Sequence, residues 1–265
     1  DFRNFHELEA NFSKGINVFY GDNAQGKTNL LEAIYFLISL KSQRASREEQ
    51  LIRYDRPKAF VKGFFNTKSG SVERQITISR DKKKIVKEGD VVKTRWQDMV
   101  HDIDVVYFSP EDLDLVKREP AGRRRFLDMA IYQTRPSFYK YLQDYYKVLS
   151  QRNALLKDIK RSPSLKTTLD SWDMQLAKLG ALLIKERLRI LSQISKLCVD
   201  FYASFAPKGS QLKLSYQSTI EYKNPDTLEQ DFLNTIKANR DKDLNRCYTT
   251  TGPHRDDVIF FIDGK

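Results

Sequence analysis

The spacing of apolar positions changes several times along the chain, and each change marks an element. Phe2, Phe5, Leu8, Ala10 and Phe12 suit strand or hairpin material, and Ile16, Val18 and Tyr20 alternate with polar residues as a short strand. Leu30, Leu31, Ala33, Ile34, Phe36, Leu37 and Leu40 then recur at helical spacing. A second short helical stretch, Glu48 to Tyr54, stops before Pro57, whose ring disfavours helix in the residue ahead of it. From Ala59 to Val92 the period becomes two. Ala59–Phe65, Val72–Ile78 and Ile85–Val92 predict three antiparallel strands, with turn signals at Ser69-Gly70, Asp81-Lys82 and Glu88-Gly89-Asp90. The compact apolar run Val105-Val106-Tyr107-Phe108 predicts a buried strand. Ser109-Pro110-Glu111-Asp112 after it carries an N-cap, a proline at the first helical position and first-turn acids.

The next periodicity is longer. Phe138, Tyr141, Tyr145, Val148, Arg152, Leu155 and Ile159 alternate three and four apart, a seam with one arginine in it. Past the break at Arg161-Ser162-Pro163-Ser164, a second seam runs through Leu169, Trp172, Leu176, Leu179, Leu183, Ile190, Ile194, Leu197 and Phe201. Two long helices on a tight connection predict an antiparallel hairpin. Pro207 and Gly209 end it, Leu212, Leu214 and Tyr216 alternate as a strand, and Asn224-Pro225-Asp226 opens a helix carrying Leu228, Phe232 and Ile236. A last apolar run, Val258–Ile262, follows Gly252-Pro253-His254-Arg255-Asp256-Asp257. The expected fold class is α/β with mixed and antiparallel sheet. The expected divisions are a first lobe at 1–118, a helical arm at 119–206, a connecting segment at 207–247 and a return strand at 248–265.

Composition narrows the setting. A hydrophobic fraction of 40% and a charged fraction of 31% read as globular, and no apolar run approaches transmembrane length. The net charge of +11 fits either a polyanionic partner such as nucleic acid or an acidic segment lying outside this stretch. Cys198 and Cys247 are too few for a disulfide framework and suit a reducing cytoplasm. Cys198, between Leu197 and Val199, reads as a buried inert thiol. The chain opens on Asp1, so a start further upstream is expected.

The chemistry concentrates in Gly21-Asp22-Asn23-Ala24-Gln25-Gly26-Lys27-Thr28, which fits G-x-x-x-x-G-K-[ST] at every fixed position, between a strand-like run and a helix. Glycines let the backbone curl until successive N–H groups converge on a phosphate at the helix N-terminus. Lys27 then reaches the β/γ-phosphates and Thr28 supplies a hydroxyl to Mg²⁺. Such loops work with a strand that ends in Asp. Ile259-Phe260-Phe261-Ile262-Asp263 is the candidate, but Asp263-Gly264 is also a strong two-residue hairpin signal and is read as one. Asp102 and Asp104 precede their apolar run and so sit at the wrong end of it. No catalytic carboxylate is therefore assigned. Arg123, Arg124 and Arg125 suit phosphate of DNA or an acidic partner surface, or equally the solvated side of a helix. Lys82-Lys83-Lys84 reads as a solvated turn.

Taken in order, Gly21–Ile34, Phe108-Ser109-Pro110-Glu111-Asp112-Leu113, Arg123-Arg124-Arg125-Phe126-Leu127-Asp128 and Gly252–Asp257 resemble the RecF family of bacterial recombination proteins. The resemblance spans nearly the whole chain. Arg3-Asn4-Phe5 is similar to the family's opening segment, and so is the Ser42/Arg44 pair, though Gln43 and Ala45 depart from the pattern. The resemblance implies an ABC-type ATPase head related to SMC and Rad50 proteins, interrupted by a helical arm. It implies ATP and Mg²⁺ as cofactors, with Arg3 and Ser42/Arg44 as further nucleotide contacts. Ser109–Asp112 is then either a γ-phosphate sensor or a plain helix cap. The implied partners are DNA at single-strand gaps and junctions, RecR, RecO and a second copy of the protein, with RecA loading and the SOS response as the outcome. The family's signature motif and Asp-Asp strand lie downstream of Gly252–Asp257, and the first strand looks clipped. The stretch is accordingly expected to be an N-terminal part that binds ATP, with weak DNA-dependent ATPase activity expected of the full-length dimer. Two rival readings are a phosphate-loop kinase or other phosphotransferase, and a structural SMC-like assembly protein.

Overall fold

The computed structural model describes residues 1–67, 70–94, 103 and 105–265. Ser69 of the expected turn, and Asp102 and Asp104, lie outside the described residues. The chain divides into two compact units, Asp1–Phe108 and Ser109–Lys265.

In the first unit, helix α1 (Lys27–Ser39) accompanies a sheet of β1 (Lys58–Thr67), β2 (Gly70–Ser79), β3 (Ile85–Glu88) and β4 (Val91–Lys93). The strands follow one another in order, all antiparallel. The Ile85–Val92 region makes two strands because Gly89-Asp90 turns the chain inside it. Period-two alternation puts Ile76, Ile78 and Val86 on one face, where they meet Ala33, Phe36, Leu37 and Leu40 of the helix and Phe2 and Leu51. Arg74 enters this core among apolar side chains. Its Nη1 donates to the Leu37 carbonyl at 3.0 Å and its Nη2 to Glu88 at 2.7 Å, so one guanidinium serves a helix-end carbonyl that lacks an intrahelical donor.

Three expectations change here. Ile16, Val18 and Tyr20 form no strand; they are 90%, 74% and 92% exposed, and no described strand pairs with them. Without a neighbour to take its N–H and C=O groups, alternation alone does not hold a segment extended. Val105–Phe108 likewise forms no strand, with Val106 96% and Phe108 75% exposed. The Glu48–Tyr54 stretch shortens to a single 3₁₀ turn, Glu48–Leu51.

The second unit is mostly helical: α2 (Asp114–Lys117), α3 (Pro120–Thr134), α4 (Phe138–Ile159), α5 (Leu169–Phe205), α6 (Leu228–Ala238) and α7 (Arg240–Arg246). Partners of α4 and α5 run in opposite senses. Ile159 clusters with Leu169, Arg152 pairs with Asp173, and Arg135, just ahead of α4, pairs with Glu186. The predicted hairpin is antiparallel. Most of both seams is buried, including Tyr145, Leu176 and Leu183; Tyr141 is exposed, and Leu197 and Phe201 stand exposed where the second helix continues past its partner. Cys198 is half-buried, and burial pushes its thiol pKa up. Strands β5 (Leu212–Gln217) and β6 (Asp257–Ile262) pair antiparallel within this unit. Beyond β6, Asp263 and Gly264 both have positive φ and Ile262 exchanges two hydrogen bonds with Lys265, the hairpin turn that Asp-Gly predicts. The Asp263 carboxylate accepts from Ser210 Oγ at 3.0 Å and Gln211 N–H at 2.7 Å, a loop-holding role.

Candidate functional site

The glycine-rich loop leads directly into α1. Gly21, Ala24 and Gly26 all have positive φ, which coils the backbone back on itself ahead of Lys27. Gly26 is the residue preceding the helix; its carbonyl accepts from Leu30 N–H at 2.9 Å, and no side chain caps the free N–H groups of the first turn. That turn contains no acid to compete with an anion. A Cβ on Gly26 would lie 2.6 Å from Phe5 Cζ and 2.8 Å from Asn4 Nδ2, so the Arg3-Asn4-Phe5 segment packs directly beneath the loop. The Lys27 Nζ turns back over the loop and donates to the Gly21 carbonyl at 2.7 Å and the Asp22 carbonyl at 2.6 Å. Two neutral acceptors therefore hold a full positive charge inside the coil, beside helix-end N–H groups. The Thr28 side chain is exposed beside it.

Around this loop runs a polar network that the sequence signalled only in part. Asn4 Nδ2 donates to the Gln25 carbonyl at 3.4 Å, and Asn29 Nδ2 donates to Asn4 Oδ1 at 2.8 Å. Arg3 grips Glu32 through Nε (2.9 Å) and Nη2 (2.7 Å) and also reaches the Gln50 carbonyl. Arg44 Nη1 donates to Asn29 Oδ1 at 3.0 Å and lies 3.5 Å from Glu32. Ser42 Oγ donates to Glu32 at 2.5 Å. Glu32 was not among the expected site residues, although it lies within the Gly21–Ile34 stretch. An open polar cavity of about 640 Å³ adjoins the network, its lining including Arg3, Asn4, Asn29, Arg47, Tyr54 and Arg80.

The arginines of the second unit have structural partners. Arg123 makes a two-pronged pair with Asp257 at 2.7 and 2.9 Å, and Arg124 donates to the Asp256 carbonyl at 2.8 Å. Arg123 and Arg124 thus tie α3 to the Gly252–Asp257 segment, and Arg125 is exposed. Adjacent arginines on a helix point in different directions, so their fates separate. Ser109 begins its turn as expected, with Asp112 accepting from the Ser109 N–H at 2.6 Å.

Gly252–Asp257 is bound from all sides. Arg187, fully buried on α5, pairs with Asp128 at 2.8 and 2.9 Å and donates to the Pro253 carbonyl. Asp256 accepts from Tyr216 and from the Thr219 N–H and hydroxyl. His254 Nδ1 lies 2.7 Å from the Tyr145 hydroxyl and Nε2 3.1 Å from the Thr249 carbonyl. A neutral ring with its proton on Nε2 satisfies both contacts, with Tyr145 donating. Burial, reinforced by Arg255 and Arg124, pushes His254 down from 6.5 to about 4, against the opposing pull of the Thr249 carbonyl. The unfolded chain therefore binds the extra proton between those values. The associated stability is complete above pH 6.5 and is lost as pH falls toward 4, by about 3 kcal/mol at most. Thermal melts of the wild type should fall over that window more steeply than those of His254→Gln; parallel pH profiles would refute the assignment.

A phosphate-cradling loop at a helix N-terminus, backed by an antiparallel sheet, defines a P-loop ATPase head. An AAA domain profile matches residues 1–249. The DNA replication and repair protein RecF of Natranaerobius thermophilus is 38% identical over 275 residues, covering 100% of this chain and 71% of its own length. That of Lachnospira eligens is 38% identical over 267 residues, covering 99% and 71%. Two solved structures of the recombination mediator protein RecF in the RecFOR pathway superpose closely. One, described as RecF-ATP, has a TM-score of 0.94 at 30% identity, covering 99% of this chain and 71% of that one. The other, RecF-ATPrS, has a TM-score of 0.93 at 29% identity, covering 100% and 72%. The chain belongs to the RecF family of DNA replication and repair proteins.

Proposed function

We propose that Gly21–Thr28 binds the triphosphate of ATP, and that the Thr28 hydroxyl ligates the accompanying Mg²⁺. The observation that carries this reading is the Lys27 ammonium held inside a positive-φ glycine coil at the uncapped start of α1. Solved relatives described with ATP and its analogue support it. The residues fit the group: free N–H groups and Lys27 meet the phosphate charge, and the Gly26 side leaves no room for a side chain. Mg²⁺, when bound, neutralises phosphate charge. The chain's own part is to orient the triphosphate against α1 and to place Lys27 beside it. Arg3 and Arg44 sit at the loop's edge, and the adjoining cavity has room for the sugar and base.

The finer role follows the family. We propose that the protein works in the cytoplasm as an ATP-dependent homodimer that engages DNA at single-strand gaps and junctions, with the α4/α5 hairpin as its arm. Together with RecO and RecR it promotes RecA loading. The net charge of +11 supports a polyanionic partner.

Lys27→Ala should weaken ATP binding about a hundredfold, near 2.7 kcal/mol, in calorimetric titration, with little change in melting temperature. The same variant should lose the part of its DNA affinity that ATP adds. Wild-type ATP affinity in Lys27→Ala would sink the site assignment.

A further inference from the structure

The loop side of the first unit contains a buried carboxylate where a polyanion is to bind, an arrangement that needs a reason. Glu32 lies on α1, five residues past Lys27, and is only 2% exposed. An acid there repels phosphate unless its charge is already used. Here it is used three ways. Arg3 contacts both carboxylate oxygens at 2.9 and 2.7 Å, Arg44 Nη1 approaches at 3.5 Å, and the Ser42 hydroxyl donates at 2.5 Å. Two guanidiniums against one carboxylate leave the group net positive. Ser42 also accepts the N–H groups of Arg44 (3.0 Å) and Ala45 (2.8 Å), so the carboxylate fixes the backbone turn that carries Arg44. Arg44 then reaches Asn29, two residues past Lys27, and Asn29 is tied through Asn4 to the Gln25 carbonyl of the loop. The chain of contacts runs from Glu32 to the phosphate loop without a gap.

We propose that Glu32 is a positioning residue for nucleotide binding. Its carboxylate holds Arg44, and the Ser42 turn beneath it, in the one orientation that presents a guanidinium to the nucleotide phosphates. This rests on the ATP reading above. Arg44 is the member able to act, since its side chain is about a third exposed, whereas Arg3 gives both Nε and Nη2 to Glu32 and Nη1 to a carbonyl. The arrangement is that of an outer-shell carboxylate that orients an inner basic group. Removing the charge frees the guanidinium to adopt many rotamers, and each productive contact then costs the entropy of reordering it.

The test is a double-mutant cycle on the full chain, read by calorimetric ATP titration with melting temperature as a control. Glu32→Gln and Arg44→Ala should each weaken ATP binding about tenfold, and the double variant should be no weaker than Arg44→Ala alone. A role confined to stability would instead give additive losses, or unchanged affinity with a lowered melting temperature, and either outcome overturns the proposal. Ser42→Ala reads the same link from the other side and should cost a few-fold through Arg44; if Glu32→Gln does not fold, this variant and its double with Arg44→Ala decide the matter. Lys27→Ala separates the two readings. If it abolishes binding while Glu32→Gln is silent, only the positioning role fails; if wild type itself binds no ATP, the ATP reading fails.

Discussion

Arg152→Leu is expected to lower the stability of the second unit by about 3–5 kcal/mol, the usual result of removing one partner from a buried charge network. Arg152, Asp173 and Asp243 are all completely buried. The guanidinium donates to Asp173 at 2.7 Å, Asp243 at 2.8 Å and the Thr249 hydroxyl at 2.8 Å, joining α4, α5, α7 and the run into Gly252. Arg240 still pairs with the other oxygen of Asp173, but Asp243 keeps only the Thr250 N–H and hydroxyl, so the variant leaves that buried carboxylate hydrogen-bonded and without its counter-charge. Leucine fits the apolar seam and still fails, because the loss is electrostatic. Arg152→Lys keeps one charge but cannot span three partners, and it should fall between the two. Denaturant unfolding followed by helical circular dichroism measures the difference; a loss below about 1 kcal/mol would show that the network is not integral to the fold.

Gly26→Ala is the second large effect, expected at about 2–5 kcal/mol from combined backbone strain and overpacking. Gly26 has φ 101, which an L side chain rarely adopts, and its added Cβ would stand 2.6 Å from Phe5 and 2.9 Å from Asn4 Oδ1. Neither neighbour yields freely, since Asn4 is bonded to Asn29 and the Phe5 N–H to the Phe2 carbonyl. Relief would have to come from the loop, moving the N–H groups and Lys27 away from the phosphate position. ATP affinity should therefore fall at least tenfold along with the melting temperature. Gly15→Ala is the control. It shares a positive φ of 88 but meets nothing within 4 Å, so only the strain, about 1 kcal/mol, should register. Equal losses in the two variants would show that packing under the loop contributes nothing.

What could be read beforehand divides by the range of the interaction responsible. The phosphate loop, α1, the β1–β4 sheet and the α4/α5 hairpin were legible because each depends on spacing within one segment. The one arginine in the first seam was visible too, as a polar residue where the period demanded an apolar one. Its partners were not, because Asp173 and Asp243 lie 21 and 91 residues away and nothing local links them. Ile16–Tyr20 and Val105–Phe108 went the other way. Their apolar content was right for strands, but a strand exists only through a neighbour's backbone, and that is not a property of the segment.

By itself, then, the sequence determined the chemistry of the loop, the turn at Asp263-Gly264 and the periods of the long helices, since these follow from local backbone freedom and from one side chain's own geometry. Only the tertiary structure decided which charges find partners within the fold. It took Arg123 and Arg124 into contacts with Asp257 and the Asp256 carbonyl, and it placed Glu32 between Arg3 and Arg44 beside the phosphate loop. A guanidinium looks the same in a sequence whether it awaits a phosphate or already holds a carboxylate. Where it is buried, its partner comes from a distant segment, because a charge enters a protein interior only when it is paired or hydrogen-bonded there.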